Sequence, residues 1–136
     1  MFEPQRTAAR NSGEENWMKI VKLNKVPKIP FIDPLFTGSD VTKQMLVSDS
    51  KDLNLYIVNF GKGTRNRFHT HNGDQVLIII AGKGIVATTK ENRIVTTGDI
   101  VVFPAGEKHW HGATEDSEFS HIVITKGGVK FAPAED

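Results

Sequence analysis

Short runs rich in valine, isoleucine, phenylalanine and threonine, each closed by a turn sequence, fill the chain from Val41 onward. Residues of these types favour strands, and turns at such close intervals leave no room for a long helix. The runs cover residues 41–47, 53–60, 67–71, 75–81, 84–88, 93–96, 100–103 and 119–125. The segment Gly82-Lys83-Gly84 is interpreted as a hairpin turn. The pattern predicts an all-β domain, either a sandwich or a barrel.

The chain has 136 residues, which suffices for one hydrophobic core but hardly for two. Residues 1–17 are polar and offer little to bury, so we predict a mobile N-terminal extension there and a single domain over residues 18–136. Pro27, Pro30 and Pro34 interrupt the apolar stretches that follow, which suits edge strands and turns.

Charge and hydropathy argue against several classes of partner. Seventeen basic and sixteen acidic residues give a formal net charge of +1, so no strong field attracts nucleic acid or an anionic membrane. The longest apolar run, residues 76–81, is far short of the ~20 residues that cross a bilayer. The start of the chain lacks the basic-then-apolar order of a signal peptide. We therefore expect a cytoplasmic protein with a small-molecule substrate, and neither a nucleic-acid nor a membrane partner.

The run at residues 53–60 is apolar on both of its faces. One face carries Leu53, Leu55 and Ile57, and the other carries Asn54, Tyr56, Val58 and Phe60. A strand that hides both faces in so small a domain needs cover beyond the interior of its own barrel. A homodimer or higher homo-oligomer would supply that cover, and so would the N-terminal segment folding back over the sheet.

All five histidines lie in the second half of the chain, and four form the pairs His69-Thr70-His71 and His109-Trp110-His111. Alternate residues of a strand share a face, so each pair can direct two imidazoles into one cavity while Trp110 faces away. The chain has no cysteine, so any metal must be held by imidazole, carboxylate or amide groups. The pairs predict a metal site, and such a mixed nitrogen and oxygen site suits several divalent transition metals.

The residues around these pairs resemble the cupin family. Its first motif reads Gly, five residues, His-x-His, three residues, an acidic position, six residues and Gly, and residues 63–82 follow it with Gln75 at the acidic position. The second motif matches Gly98, Pro104-Ala105-Gly106 and His109. The resemblance implies a conserved double-stranded β-helix, which is a small jelly-roll barrel, with one metal ion at its mouth.

Gln75 departs from the glutamate that cupins usually carry. Its amide oxygen can still coordinate, but the ligand set His69, His71, Gln75 and His109 would leave the charge of a divalent ion unneutralised. Such a centre would be a stronger Lewis acid and would favour an anionic ligand or a developing alkoxide. The alternative is a cupin that has lost its metal and kept the barrel.

The same residues, with His111 and His121, resemble the small bacterial cupins with manganese-dependent hydroxynitrile lyase activity. That resemblance implies manganese on the four ligands just named, with iron, nickel or zinc as alternatives. It makes His121 the general base, with a pKa expected near neutrality, and leaves His111 as a group beside the ligands or the substrate. Tyr56, Val58 and Thr125 fall where that group lines its substrate pocket, and Tyr56 is larger than the residue expected there.

Three functions are consistent with this site. A Lewis-acid metal beside a histidine base suits a lyase that cleaves a small hydroxy or oxo compound such as a cyanohydrin. A redox-active metal in the same barrel would instead suit a dioxygenase. A non-catalytic cupin that binds a small ligand is the third alternative, and the chain lacks the basic helix of a DNA-binding sensor.

Overall fold

The computed structural model describes residues 18–134, which form ten strands and one short 3-10 helix, Leu23–Lys25. The strands are β1 (Ile29–Pro30), β2 (Val41–Val47), β3 (Leu53–Phe60), β4 (His69–His71), β5 (Gln75–Thr88), β6 (Asn92–Thr96), β7 (Ile100–Phe103), β8 (His109–Ala113), β9 (Phe119–Lys126) and β10 (Phe131–Pro133). The predicted all-β class is confirmed. The predicted bounds of β2, β3 and β7 are also confirmed, because turn residues flank these runs on both sides.

The strands form two antiparallel sheets that share β5. In the first sheet the strand order is β1-β2-β3-β9-β5-β7. In the second sheet β5 pairs with β6 and β8, and β8 leads through β4 to β10. Because one strand belongs to both sheets, they curl around a common interior, as the jelly-roll barrel implied by the resemblance requires.

The interpretation of Gly82-Lys83-Gly84 as a hairpin turn is wrong. These residues lie inside β5, which runs unbroken for 14 residues. Its pairing with β9 shifts register between Ile79 and Ala81, and Gly82 has φ +75°. The shift is a β-bulge, which bends the strand from the first sheet into the second. It also changes which residues face inward, from Gln75, Leu77 and Ile79 to Gly84 and Val86.

The barrel interior is a close-packed aromatic and aliphatic core. Its largest fully buried apolar side chains are Phe60, Phe119, Leu77 and Ile79. The Phe60 ring packs at 6.0 Å from both Phe36 and Phe119, which ties the 31–36 loop to β3 and β9. The functional histidines lie on the inner faces of β4, β8 and β9, next to this core.

The N-terminal segment covers part of the outer face of the first sheet. Gln44 of β2 pairs with Ile57 of β3, so both side chains share that face, and Ile57 is 2% exposed. The Gln44 side chain donates to the carbonyls of Leu23 and Val26 at 3.3 and 2.9 Å. The fold-back predicted for this segment is therefore present. The predicted extension, residues 1–17, lies outside the described residues, and among residues 18–134 no helix is long and apolar enough to span a membrane.

Candidate metal centre and cavity

Three histidines from two strands converge at one end of the barrel. His69 and His71 are separated by one residue on β4, so their side chains lie on the same face of the strand. His69 pairs directly with His109 of β8, and all three rings face the barrel interior. One nitrogen from each of the three lies within 4.8 Å of the others. Three imidazoles at this spacing form a group that can hold one metal ion.

Backbone hydrogen bonds orient two of these rings. Nδ1 of His69 donates to the carbonyl of Arg67 at 2.7 Å, and Nδ1 of His109 donates to the carbonyl of Glu107 at 2.8 Å. Each ring therefore carries its proton on Nδ1 and presents the lone pair of Nε2 to the centre. The ring of His109 is also stacked on Phe103 at 3.8 Å, which restricts its rotation.

The pKa values of the three rings favour their neutral forms, in which imidazole binds metals. Burial lowers the pKa of His69, against the opposing effect of the Arg67 carbonyl. Burial, followed by repulsion from His69, lowers the pKa of His71 to about 4. Burial lowers the pKa of His109 to about 3, although its bond to the Glu107 carbonyl acts the other way. At neutral pH no proton has to be displaced before a metal binds.

Gln75 completes the group and tests whether a cation fits there. Its side chain is 3% exposed, and its Oε1 lies 3.2 Å from Nε2 of His109. Since His109 carries its proton on Nδ1, both of these atoms present lone pairs and cannot bond to each other. Two donors that each bind one ion at about 2.1 Å come about this close together. A shared cation would relieve the repulsion between them, so the residues fit a metal.

His71 supports the same conclusion. Neither of its ring nitrogens has a hydrogen-bond partner among the described residues, although both are buried. A buried polar atom without a partner costs about 1–3 kcal/mol and calls for an explanation such as an ion. The ring lies 4.9 Å from that of His69 and 5.3 Å from that of His109. Coordination of the same ion as those two rings would satisfy one of its two ring nitrogens.

The residues His69, His71, Gln75 and His109 are called the metal group below. A second polar group, which consists of Asn66, His111 and His121, lies beside it. Nε2 of His121 is 3.1 Å from Nδ1 of His111, and Nε2 of His111 is 3.4 Å from Nδ2 of Asn66. The three side chains are 0–4% exposed. Sequence reasoning missed Asn66, because it lies in an irregular segment before β4 and only its contact with β8 reveals it.

The expectation of a near-neutral pKa for His121 is wrong. The ring is fully buried, and burial lowers its pKa to about 3. Burial and the neighbouring imidazoles, His121 first among them, also hold the pKa of His111 well below its usual range. No carboxylate contacts either ring among the hydrogen bonds of the described residues, so no opposite charge stabilises an imidazolium there.

The cavity that the metal group opens into is small and mostly apolar, with a volume of about 80 Å³. It is lined by Phe31, Leu35, Phe36, Tyr56, Val58, Phe60, Asn66, His69, His71, Gln75, His111, Val123 and Phe131. None of these described residues is an Asp, Glu, Lys or Arg. Pockets for drug-sized ligands span roughly 300–1,000 Å³, so this one suits a molecule of a few non-hydrogen atoms.

Two of the three residues predicted to line the substrate pocket do line the cavity. Tyr56 and Val58 line the cavity, but Thr125 does not, and its hydroxyl accepts a hydrogen bond from Asn54 Nδ2 at 2.9 Å. Val123, two residues earlier on β9, faces the cavity instead. His121 also lies outside the lining, because it is enclosed between His111 and the rings of Phe60 and Phe119.

The fold and the histidine group define a β-barrel with a candidate metal site, and sequence comparison identifies its class. Residues 56–125 match the family model described as a cupin domain. That match covers more than half of the chain, so the protein belongs to the cupin family. The matched segment runs from β3 to β9 and contains all four predicted metal ligands.

Two relatives carry named activities. The chain is similar to an (R)-mandelonitrile lyase of Granulicella tundricola, with 38% identity over 96 residues, which are 68% of this chain. The match spans 65% of that relative's length. A pectin degradation protein of Dickeya dadantii is 32% identical over 87 residues, covering 63% of this chain and 77% of the relative.

Solved structures show the same barrel. A cupin-like protein of Thermotoga maritima has a TM-score of 0.69 and 34% identity, covering 77% of this chain and 84% of its own. A polyketide cyclase of Streptomyces resistomycificus has a TM-score of 0.74 and 15% identity, over 88% of this chain and 89% of its own. The second similarity concerns the fold alone.

Proposed function

We propose that this cupin is a metal-dependent lyase that cleaves a carbon–carbon bond in a small hydroxy compound such as a cyanohydrin. One observation carries the proposal: four uncharged side chains that can bind a metal lie beside a buried pair of neutral histidines, and His111 of that pair lines a small apolar cavity. The similarity to a mandelonitrile lyase supports the reaction class.

The ligands we propose are His69, His71, His109 and Gln75, and the metal we propose is manganese. A bound divalent ion would act as a Lewis acid and make a substrate hydroxyl more acidic. All four proposed ligands are uncharged, and none of the described lining residues is acidic, so no carboxylate at the cavity reduces that effect. The histidine-rich set also suits iron, nickel or zinc, which metal analysis would distinguish.

Two histidines of the chain, His111 and His121, would then remove the proton of the substrate hydroxyl. His111 lies at the cavity wall and His121 lies behind it, so we assign His111 to contact the hydroxyl and His121 to support it as a base. The histidine pair accepts the hydroxyl proton, the oxygen's electrons form the carbonyl, and the carbon–carbon bond breaks as cyanide leaves. Burial lowers the pKa values of both rings, so both are neutral near pH 7 and offer a lone pair, but both are weak bases. Proton transfer to the pair would therefore depend on a bound metal lowering the pKa of the hydroxyl.

The cavity sets the size of the substrate. Tyr56 and Phe131 stand in its wall, and a volume of about 80 Å³ leaves little space beside them for an aromatic ring. The apolar lining favours an aliphatic group on the carbon that carries the hydroxyl. We therefore propose a small aliphatic cyanohydrin or hydroxy compound as the preferred substrate.

The test is cyanide release from acetone cyanohydrin and from mandelonitrile by protein loaded with manganese. We expect turnover of the aliphatic compound, with a lower kcat/KM for the aromatic one. His121→Gln should retain the metal and lower kcat by ~10²-fold, because glutamine can accept a hydrogen bond from His111 but cannot take up its proton. Failure of the loaded wild type to cleave either compound would contradict the lyase assignment.

The outer face of the first sheet supports a homodimer. Two rows of aliphatic side chains cross β7, β5, β9 and β3 in register. The first row is Val102, Val76, Ile124 and Leu55, and the second row is Ile100, Ile78, Ile122 and Ile57. Ile57 is covered within the chain, whereas Ile100 and Val102 are 65% and 57% exposed. A contiguous apolar face of this kind is typical of a subunit interface.

The homodimer can be tested by light scattering after chromatography. Val102→Lys should convert the dimer to a monomer, because it places a charge in the proposed interface. Ile94→Lys is the matched control, since Ile94 is 58% exposed on β6, which belongs to the other sheet. A wild type that is monomeric at high concentration would exclude this assembly.

A further inference from the structure

The side-chain amide of Asn66 is held in one orientation by β8. Its backbone N–H donates to the carbonyl of His111 at 3.0 Å, and its Oδ1 accepts the backbone N–H of His111 at 2.8 Å. A backbone N–H can only donate, so the atom that faces it must be the amide oxygen. Nδ2 of Asn66 is thereby directed at the His111 ring.

This orientation determines where two histidines carry their protons. An amide NH2 only donates, so Nε2 of His111, 3.4 Å from Asn66 Nδ2, must present a lone pair. A neutral imidazole has one ring proton, which in His111 then lies on Nδ1. That nitrogen is 3.1 Å from Nε2 of His121, so His121 accepts there and carries its own proton on Nδ1. This Nδ1 has no hydrogen-bond partner among the described residues.

The opposite arrangement would otherwise be equally well bonded. His121 could donate from Nε2 to Nδ1 of His111, and His111 would then carry its proton on Nε2. Nothing within the histidine pair favours one direction over the other. The amide of Asn66 removes this ambiguity, because the second arrangement would set two donors against each other.

We propose that Asn66 is a positioning residue that fixes the tautomers of His111 and His121 and thereby presents an acceptor nitrogen to the substrate. Asn66 and His111 both line the cavity, whereas His121 is 0% exposed behind them. A substrate hydroxyl therefore meets the Asn66–His111 end of the series, where it would replace the 3.4 Å contact of Asn66 Nδ2 as the donor to the lone pair on Nε2 of His111. The catalytic consequence rests on the proposed lyase function, but the tautomers themselves do not.

The tautomers can be read directly by nuclear magnetic resonance. Long-range ¹H–¹⁵N spectra of the full chain, labelled with ¹⁵N and loaded with diamagnetic zinc at pH 7.5, distinguish protonated from unprotonated ring nitrogens. We expect His111 and His121 both to be protonated on Nδ1 and unprotonated on Nε2. A proton on Nε2 of His111 in the wild type would overturn the proposal.

Substitution of Asn66 tests the cause. Asn66→Asp replaces the donor with an acceptor, so Nε2 of His111 should become protonated while thermal unfolding shows a folded protein. Asn59→Asp is the control, because Asn59 bonds to Thr42, Gln44 and Ser120 away from the cavity, and it should leave both tautomers unchanged. A folded Asn66→Asp protein whose Nε2 remains unprotonated would refute the assignment.

The activity of the same variants separates this inference from the proposed function. If the wild type cleaves a cyanohydrin, Asn66→Asp should lower kcat by ~10²-fold or more with little change in KM, because the acceptor nitrogen is lost. An unchanged kcat beside a reversed tautomer would overturn the catalytic part of the proposal. If the wild type cleaves none, the proposed function fails, and the spectra still decide the tautomers.

Discussion

The buried His121 should make the protein unstable in mild acid, and the size of the effect follows from its environment. Its side chain is fully enclosed, and burial lowers its pKa from 6.5 to about 3. In the unfolded chain the ring regains the ordinary pKa near 6.5 and binds a proton readily. The unfolded state therefore binds more protons than the folded state between these values, and stability must fall as the pH falls.

The magnitude can be worked from the two pKa values. Above pH 6.5 the ring is neutral in both states, and its contribution to stability is fully present. Each pH unit between 6.5 and 3 then removes about 1.4 kcal/mol, so about 2 kcal/mol is lost at pH 5 and about 5 kcal/mol in total near pH 3. The total is comparable to the whole stability of a small domain, which is about 5–15 kcal/mol.

The assay compares the wild type with His121→Gln by urea unfolding, followed by far-ultraviolet circular dichroism. Both proteins are stripped of metal with EDTA, and the free energy of unfolding is measured from pH 8 to pH 4. Glutamine keeps an acceptor for the Nδ1 proton of His111 but does not titrate. The other four histidines and all carboxyl groups occur in both proteins, and burial, the largest cause of the low pKa of His111, persists in the variant, so their contributions to the difference are small.

The wild type should lose about 2 kcal/mol more than the variant between pH 8 and pH 5. Equal losses in the two proteins would refute the reasoning, because they would show that His121 has the same pKa in the folded and unfolded states. A larger loss in the variant would refute it as well, since it would mean that the fold stabilises the protonated ring.

Three further variants test the barrel, the metal group and the cavity. Gly84→Ala should lower stability by about 1–3 kcal/mol in urea, because a Cβ there would lie 2.4 Å from the Phe119 ring; Gly38→Ala, with contacts no closer than 3.6 Å, should change it little. His71→Ala should remain folded by circular dichroism and lose its metal in elemental analysis, and full occupancy would exclude His71 as a ligand. Tyr56→Ala should enlarge the cavity and raise kcat/KM for mandelonitrile relative to acetone cyanohydrin by ~10-fold, whereas an unchanged ratio would show that Tyr56 does not limit substrate size.

The strands that could be predicted are those whose local composition and flanking turns agree. β2 and β3 are examples, since both are rich in strand-forming residues and are bounded by turn residues. β8, with the sequence HWHGA, has no β-branched residue, and it is a strand because it pairs with β5 along Gly84 to Thr88. The sequence predicts two strands, residues 75–81 and 84–88, in place of β5. Glycines in a bulge and in a hairpin turn look alike in the sequence, and the pairing of β5 with β9 distinguishes them.

Much of the metal group could be predicted from the sequence, because His69, His71 and Gln75 lie close together in it. His69 and His71 alternate on one strand, and the structure brings His109 and Gln75 to them. The relation of His111 to His121 could not be read in this way. Which ring faces the cavity depends on how β8 and β9 curve around the core, so the burial of His121 and its low pKa emerge only from the packing of Phe60 and Phe119 against it.

Asn66 illustrates the same limit. It lies outside any regular strand, and its backbone bridge to Phe36 and its hydrogen bond with His111 join it to residues that are distant in sequence. No periodicity or motif position identifies such a residue. Its importance comes from the direction of one amide group, which is a property of the folded backbone.

The most direct test of the metal centre is a crystal structure of protein purified without a metal-affinity column and loaded with manganese, with anomalous data collected at the manganese edge. We predict one ion per chain, bound by Nε2 of His69 and of His109, a ring nitrogen of His71 and Oε1 of Gln75. An ion bound elsewhere, or no ion among these four side chains in saturating manganese, would contradict this prediction.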